Sequence, residues 1–173
     1  MKTQDSPWSN DESHTVIERY ETRLRKHGFG EEALGWGKKG RQQLRLSVLA
    51  SHWDLGGKSV LDQGWTRRVR LTGLFNFRLN SRRNSEFISS VLGLAFKFSR
   101  LGVASNFVTD HVGFKDSLMH YLSPSEALDI AHRFTRNVTL KQDYMPFEYS
   151  VFLDKRQAID HSSGLFRHIG LSE

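Results

Sequence analysis

The chain contains no cysteine. A disulfide scaffold, a thiolate metal site and a cysteine nucleophile are therefore excluded together. Proline is also scarce, with 3 in 173 residues, and there is neither a low-complexity tract nor an internal repeat. No apolar run approaches the roughly 20 residues that cross a bilayer. The opening Met1-Lys2-Thr3-Gln4-Asp5-Ser6-Pro7 does not read as a secretory signal. A soluble, cytoplasmic protein with no membrane partner is the expectation.

Against these absences stand 38% hydrophobic residues, with 12 Phe and 4 Trp. That is enough material to bury a core, and it excludes a wholly disordered chain. The length suits one domain. The formal charge of +6 raises nucleic acid as a partner, but the excess is local. Between residues 65 and 100, Arg67, Arg68, Arg70, Arg78, Arg82, Arg83, Lys97 and Arg100 face Glu86 alone, a net of +7 that leaves −1 elsewhere. Such a block is usually a solvated face, so nucleic acid is not the favoured partner.

The periodicity gives an order of elements. Residues 1–14 are polar and expected to be disordered. Ile17, Tyr20 and Leu24 recur at helical spacing from Val16 to His27, and Gly28 after a basic turn is a stop. A second helix is expected from Arg41 to Trp53, with Leu44, Val48 and Leu49 inward. Ser59 to Asp62 reads as a short buried strand, and Val69 to Phe77 as a strand running into a loop. Ser85 opens a helix through Phe98 whose apolar face is core material. Gly102 to Val108 is the next strand. Ser123-Pro124-Ser125-Glu126 has the form of a capping box and starts a helix to about Arg136. Val138–Lys141 and Phe147–Leu153 form a hairpin about Tyr144-Met145-Pro146. Alternating strands and helices mean α/β, with one antiparallel strand entering a mostly parallel sheet.

Several segments resemble a class I S-adenosylmethionine-dependent methyltransferase, over roughly residues 15–154. They are Gly35-Trp36 followed by Arg45, then Lys58-Ser59-Val60-Leu61-Asp62 and Gly73-Leu74-Phe75-Asn76. Ala104-Ser105-Asn106-Phe107 and Asp143-Tyr144-Met145-Pro146-Phe147-Glu148-Tyr149 complete the series. They would correspond to the helical entry, the first strand with its cofactor motif, the segment after the fourth strand, the fifth strand and the final hairpin. The resemblance implies S-adenosylmethionine as cofactor, a small-molecule acceptor, and Trp36, Arg45, Asp62, Gly64, Gly73, Leu74, Phe75 and Asn76 as cofactor-binding residues. It supplies no catalytic residue and no metal.

The departure is as informative as the match. The family follows its first strand with a Gly-x-Gly-x-Gly turn, whereas Asp62 is followed by Gln63-Gly64-Trp65-Thr66-Arg67-Arg68. Two βα units of about 30 residues each, some 60 residues in all, are missing between the first and fourth strands. The fold expected is therefore a truncated Rossmann-like methyltransferase sheet, with strands 1, 4, 5, 7 and 6 of the family order 3-2-1-4-5-7-6. Helices cover its faces and the C-terminal hairpin is antiparallel. The domain would span 15–154, shortened at 63–68, with a tail at 155–173. Six residues cannot return a chain parallel to itself, since that crossover takes a dozen or more. Arg68, Arg70 and Thr72 would share one face, as on a half-exposed or edge strand. Little or no activity is expected.

Other readings have less behind them. A non-catalytic module could form a homo-oligomer through the exposed sheet edge, or bind nucleic acid through the basic segment 65–100. Asn106, Asp110 and His111 fall where the fifth strand ends, the side on which α/β sites sit. His111 there reads as a surface histidine before a general base. Asp110, His111, Asp116 and His120 match no metal-site spacing.

Overall fold

The computed structural model describes residues 10–29, 40–57, 74–76, 78–79 and 83–155. Within them lie α1 (Asn10–His27), α2 (Arg41–Ala50), a 3-10 turn (Leu74–Asn76), α3 (Asn84–Phe98), β1 (Gly102–Val108), α4 (Pro124–Ala131), β2 (Val138–Met145) and β3 (Glu148–Asp154). Ser59–Asp62 and Val69–Gly73, where two further strands are expected, lie outside the described residues. So does the shortened junction 63–68, and with it the sheet edge expected to support a homo-oligomer. Among the described residues no helix is long and apolar enough to cross a membrane.

The class is α/β, and the described sheet is small: three strands in the order β1-β3-β2. Both pairings are antiparallel, with Val103 opposite Leu153 and Leu140 opposite Val151. The mostly parallel sheet expected from the sequence is not seen among these strands. β1 and β2 do run in the same direction, but β3 is inserted between them. The tight hairpin at Pro146-Phe147 returns β3 antiparallel to β2, and β3 then takes the place beside β1.

Every residue of β3 is buried, because it is central and covered on both faces. Tyr149, Val151 and Leu153 join Val103 and Phe107 under α3 and α4, with Ile88, Leu92, Leu122, Ala127, Ile130 and Ala131. Burying a large apolar side chain contributes about 1.5–3 kcal/mol, so this layer dominates the stability. Its centre is a run of rings: Phe75 stacks on Phe107 at 5.4 Å, and Phe107 on Tyr149 at 5.6 Å. On the other face Phe152 packs with Val48 and Leu49 of α2, and with Trp53 and Ala104.

Two glycines are fixed by contact. A Cβ on Gly102 would lie 2.2 Å from the Leu153 carbonyl oxygen and 2.8 Å from Trp53, so the start of β1 can approach β3 only without a side chain. A Cβ on Gly93 would lie 2.8 Å from the Phe134 ring, which seats on α3 there.

Several boundaries differ from expectation, each for a local reason. α1 begins at Asn10, so residues 10–14 are helical rather than disordered; Asn10-Asp11-Glu12 are residue types that start helices. It ends as expected at Gly28, whose N–H reaches the Leu24 carbonyl at 2.8 Å with φ 68°. α2 stops at Ala50, not Trp53, and Leu44 is 40% exposed while Arg45 points inward. α4 stops at Ala131 rather than near Arg136. The Thr135 hydroxyl donates to the Asp154 carbonyl at 2.9 Å and Asp154 N–H to the Asn137 carbonyl at 2.9 Å, tying 135–137 to the end of β3. Only half of the capping box forms: Ser123 Oγ accepts from Glu126 N–H at 3.1 Å, while the Glu126 carboxylate takes the Ser85 hydroxyl. Leu74–Asn76 form a 3-10 turn, not a strand end.

Candidate functional site

The two faces of the sheet carry different polar chemistry. On the α2 face, Arg45 donates through Nε and Nη2 to the two oxygens of Glu148, a bidentate pair with both side chains 9% exposed. Asn106 Nδ2 also donates to Glu148, at 3.3 Å. The Tyr144 hydroxyl lies 2.9 Å from Ser150 Oγ, and burial, outweighing the Ser150 hydrogen bond that acts to lower it, pushes its pKa up to about 12. Trp53 Nε1 donates to Asp154 at 3.1 Å. A carboxylate in a fully buried strand must be paired, and each of the two on β3 is.

The second group of polar residues gathers where β1 ends. Leu122 N–H donates to the Val108 carbonyl at 3.0 Å, and a parallel bridge joins Thr109 to Leu122. The 3-10 turn is bound to the same loop: His120 N–H donates to the Asn76 carbonyl at 3.0 Å and Arg78 N–H to the Leu118 carbonyl at 3.0 Å. Tyr149 donates its hydroxyl to the Leu122 carbonyl at 3.1 Å. Burial raises the Tyr149 pKa, and the charges of Asp110 and Glu126 add to that. Burial lowers the His120 pKa, against Glu126, which raises it, and with Arg78, which lowers it further. His120 is therefore a neutral imidazole near neutral pH.

The residues named from sequence are distributed over both faces or fall outside the described ones. Trp36, Asp62, Gly64 and Gly73 lie outside. Of Leu74 the structure gives a place in the 3-10 turn. Phe75 is 1% exposed and serves as a core ring under α3, whereas Arg45 is committed to Glu148 on the opposite face. Asn76 alone of the set reaches the polar group at the end of β1. His111 is exposed, its backbone N–H bonded to Thr109 Oγ1 at 3.2 Å. Asp116 is engaged by Leu118 N–H at 2.9 Å and lies 3.5 Å from Arg19 Nη2, which fastens α1 to this loop. Among the described residues no three His, Cys, Asp or Glu side chains are placed to hold a metal ion.

Sequence reasoning missed Glu148 as a partner of Arg45 and His120 as a member of the second group. The first was detectable: a carboxylate alternating with Ser150 and Phe152 in an apolar strand needs a cation. The second had no sequence signal, since only folding brings the loop to the turn. No protein-family model, no curated protein and no solved structure matches the chain.

Proposed function

We propose that the chain is a methyltransferase-like domain of the class I S-adenosylmethionine-dependent group, holding the acceptor-side strands and having little or no activity. The observation that carries this reading is the strand order. β1-β3-β2, with β3 antiparallel between two strands of common direction, is the order 5-7-6 that the resemblance assigns to these segments. Ala104–Phe107 falls on β1, and Asp143–Tyr149 spans the end of β2, the turn and the start of β3.

S-adenosylmethionine does not fit the described residues assigned to it. The Arg45 guanidinium is occupied by Glu148, and the Phe75 ring is packed against Phe107. Methyl transfer depends on holding the donor sulfonium in line with the acceptor, so loss of that positioning removes most of the rate. The acceptor is a small molecule at the carboxyl end of β1. Calorimetric titration of the full chain with S-adenosylmethionine is expected to show no saturable heat in the micromolar range. Saturable binding at that strength would overturn the inactive reading.

A further inference from the structure

One flank of α3 is apolar from the core out to solvent. Phe87, Val91 and Ala95 lie half-buried along it, packed against the main core. Leu94 and Phe98 continue it outward, 56% and 72% exposed. Residues 87, 91, 94, 95 and 98 fall on one side of a helix, so this is a stripe rather than a scatter of exposed side chains. A contiguous apolar surface marks an interaction site, whereas single exposed apolar residues need no explanation.

The path of the chain identifies the occupant. Lys155, where the described residues end, is fastened to the end of α3. Its N–H donates to the Leu101 carbonyl at 2.8 Å, and its Nζ donates to the carbonyls of Lys97 at 3.2 Å and Ser99 at 2.6 Å, on either side of Phe98. The segment 156–173 therefore sets out from the foot of the stripe. In its sequence Leu165, Phe166 and Ile169 make an apolar patch at the i, i+1, i+4 spacing of one helical face. Leu94 lies about 6 Å along the α3 axis from Phe98. A flexible chain of the length from Lys155 to Leu165 has a root-mean-square reach of about 15–20 Å, so the patch meets the stripe without stretching. A tether this short gives an effective concentration in roughly the millimolar range, far above that of a second copy in micromolar solution. We propose that Leu165, Phe166 and Ile169 dock on the α3 stripe of the same chain, at Leu94 and Phe98. The proposal does not rest on the methyltransferase reading.

The test is NMR of the isotope-labelled full chain carrying a nitroxide on Ser172→Cys, the single thiol of the labelled molecule because the sequence has no cysteine of its own. Signals of Leu94 and Phe98 are expected to broaden. Those of Phe147, an exposed ring at the opposite end of β3, are expected to stay sharp. Phe166→Ser in the labelled chain is expected to reduce the broadening at Leu94 several-fold, and Phe98→Ser to do the same. Phe98 is already mostly in solvent, so that variant keeps the fold, and unshifted Phe107 and Tyr149 signals check it. Mixing nitroxide-bearing chains with isotope-labelled chains that lack the nitroxide is expected to leave Leu94 sharp. Sharp Leu94 and Phe98 signals in the nitroxide-bearing chain, or full broadening of Leu94 in both variants, would each overturn the proposal. Equal broadening in the mixture would overturn it in favour of a second copy.

Discussion

The two faces of β3 solve the same burial problem by different chemistry. Toward α3 and α4 the strand presents Tyr149, Val151 and Leu153, and the stabilisation is area removed from water. Toward α2 it presents Glu148, Ser150, Phe152 and Asp154, and every polar group there is matched by Arg45, Tyr144 or Trp53. An apolar face tolerates small changes of shape at graded cost. A polar face fails when one partner is removed, because the other is left buried and charged. That contrast orders the variants by which it can be broken.

The largest effect belongs to the polar face. Glu148→Ala strands the Arg45 guanidinium and is expected to cost about 3–5 kcal/mol in urea unfolding. The double variant Arg45→Met, Glu148→Leu is expected to restore most of it. If the single variant were as stable as the parent, the pair would not be holding α2. On the apolar face Leu153→Ala is expected to cost about 2–5 kcal/mol, with no second substitution on α2 able to compensate. Gly102→Ala tests the approach of β1 to β3 and is expected to cost about 1–3 kcal/mol. Ser123→Ala removes the N-cap of α4 and is expected to cost about 1 kcal/mol.

Much of the apolar face was legible in the sequence, and little of the polar one. α3, β1 and the hairpin followed from runs such as Phe87, Ile88, Val91 and Leu92 and from the alternation of residues 148–153, patterns that burial itself imposes. In α2 the periodicity put Leu44 inward, and the structure puts Arg45 there instead. The choice between neighbouring residues was made by Glu148, 103 positions away, which no local window contains. The hairpin's place in the sheet has no local signal, because a hairpin can in principle add to either edge or to the middle. Of the candidate site, Asn76 was named as a cofactor contact and His120 only among residues matching no metal-site spacing, since its environment comes from Asn76, Glu126 and Arg78 on other segments.

The smallest effect is expected at His120, half-buried in the polar group at the end of β1. Its folded pKa lies below the ordinary value of 6.5, with burial the first cause. The unfolded chain therefore binds more protons than the folded chain as pH falls through 6.5 toward the folded value. The sign follows: this group's contribution is fully present above the unfolded pKa and is lost as pH drops toward and through the lowered one. Urea unfolding from pH 7.5 downward is expected to show stability declining across that window. In His120→Gln, which keeps a polar side chain but does not titrate, the decline is expected to be shallower. A slope unchanged by His120→Gln would place the imidazole in water, and the polar group at the end of β1 would then be an open surface rather than a shielded one.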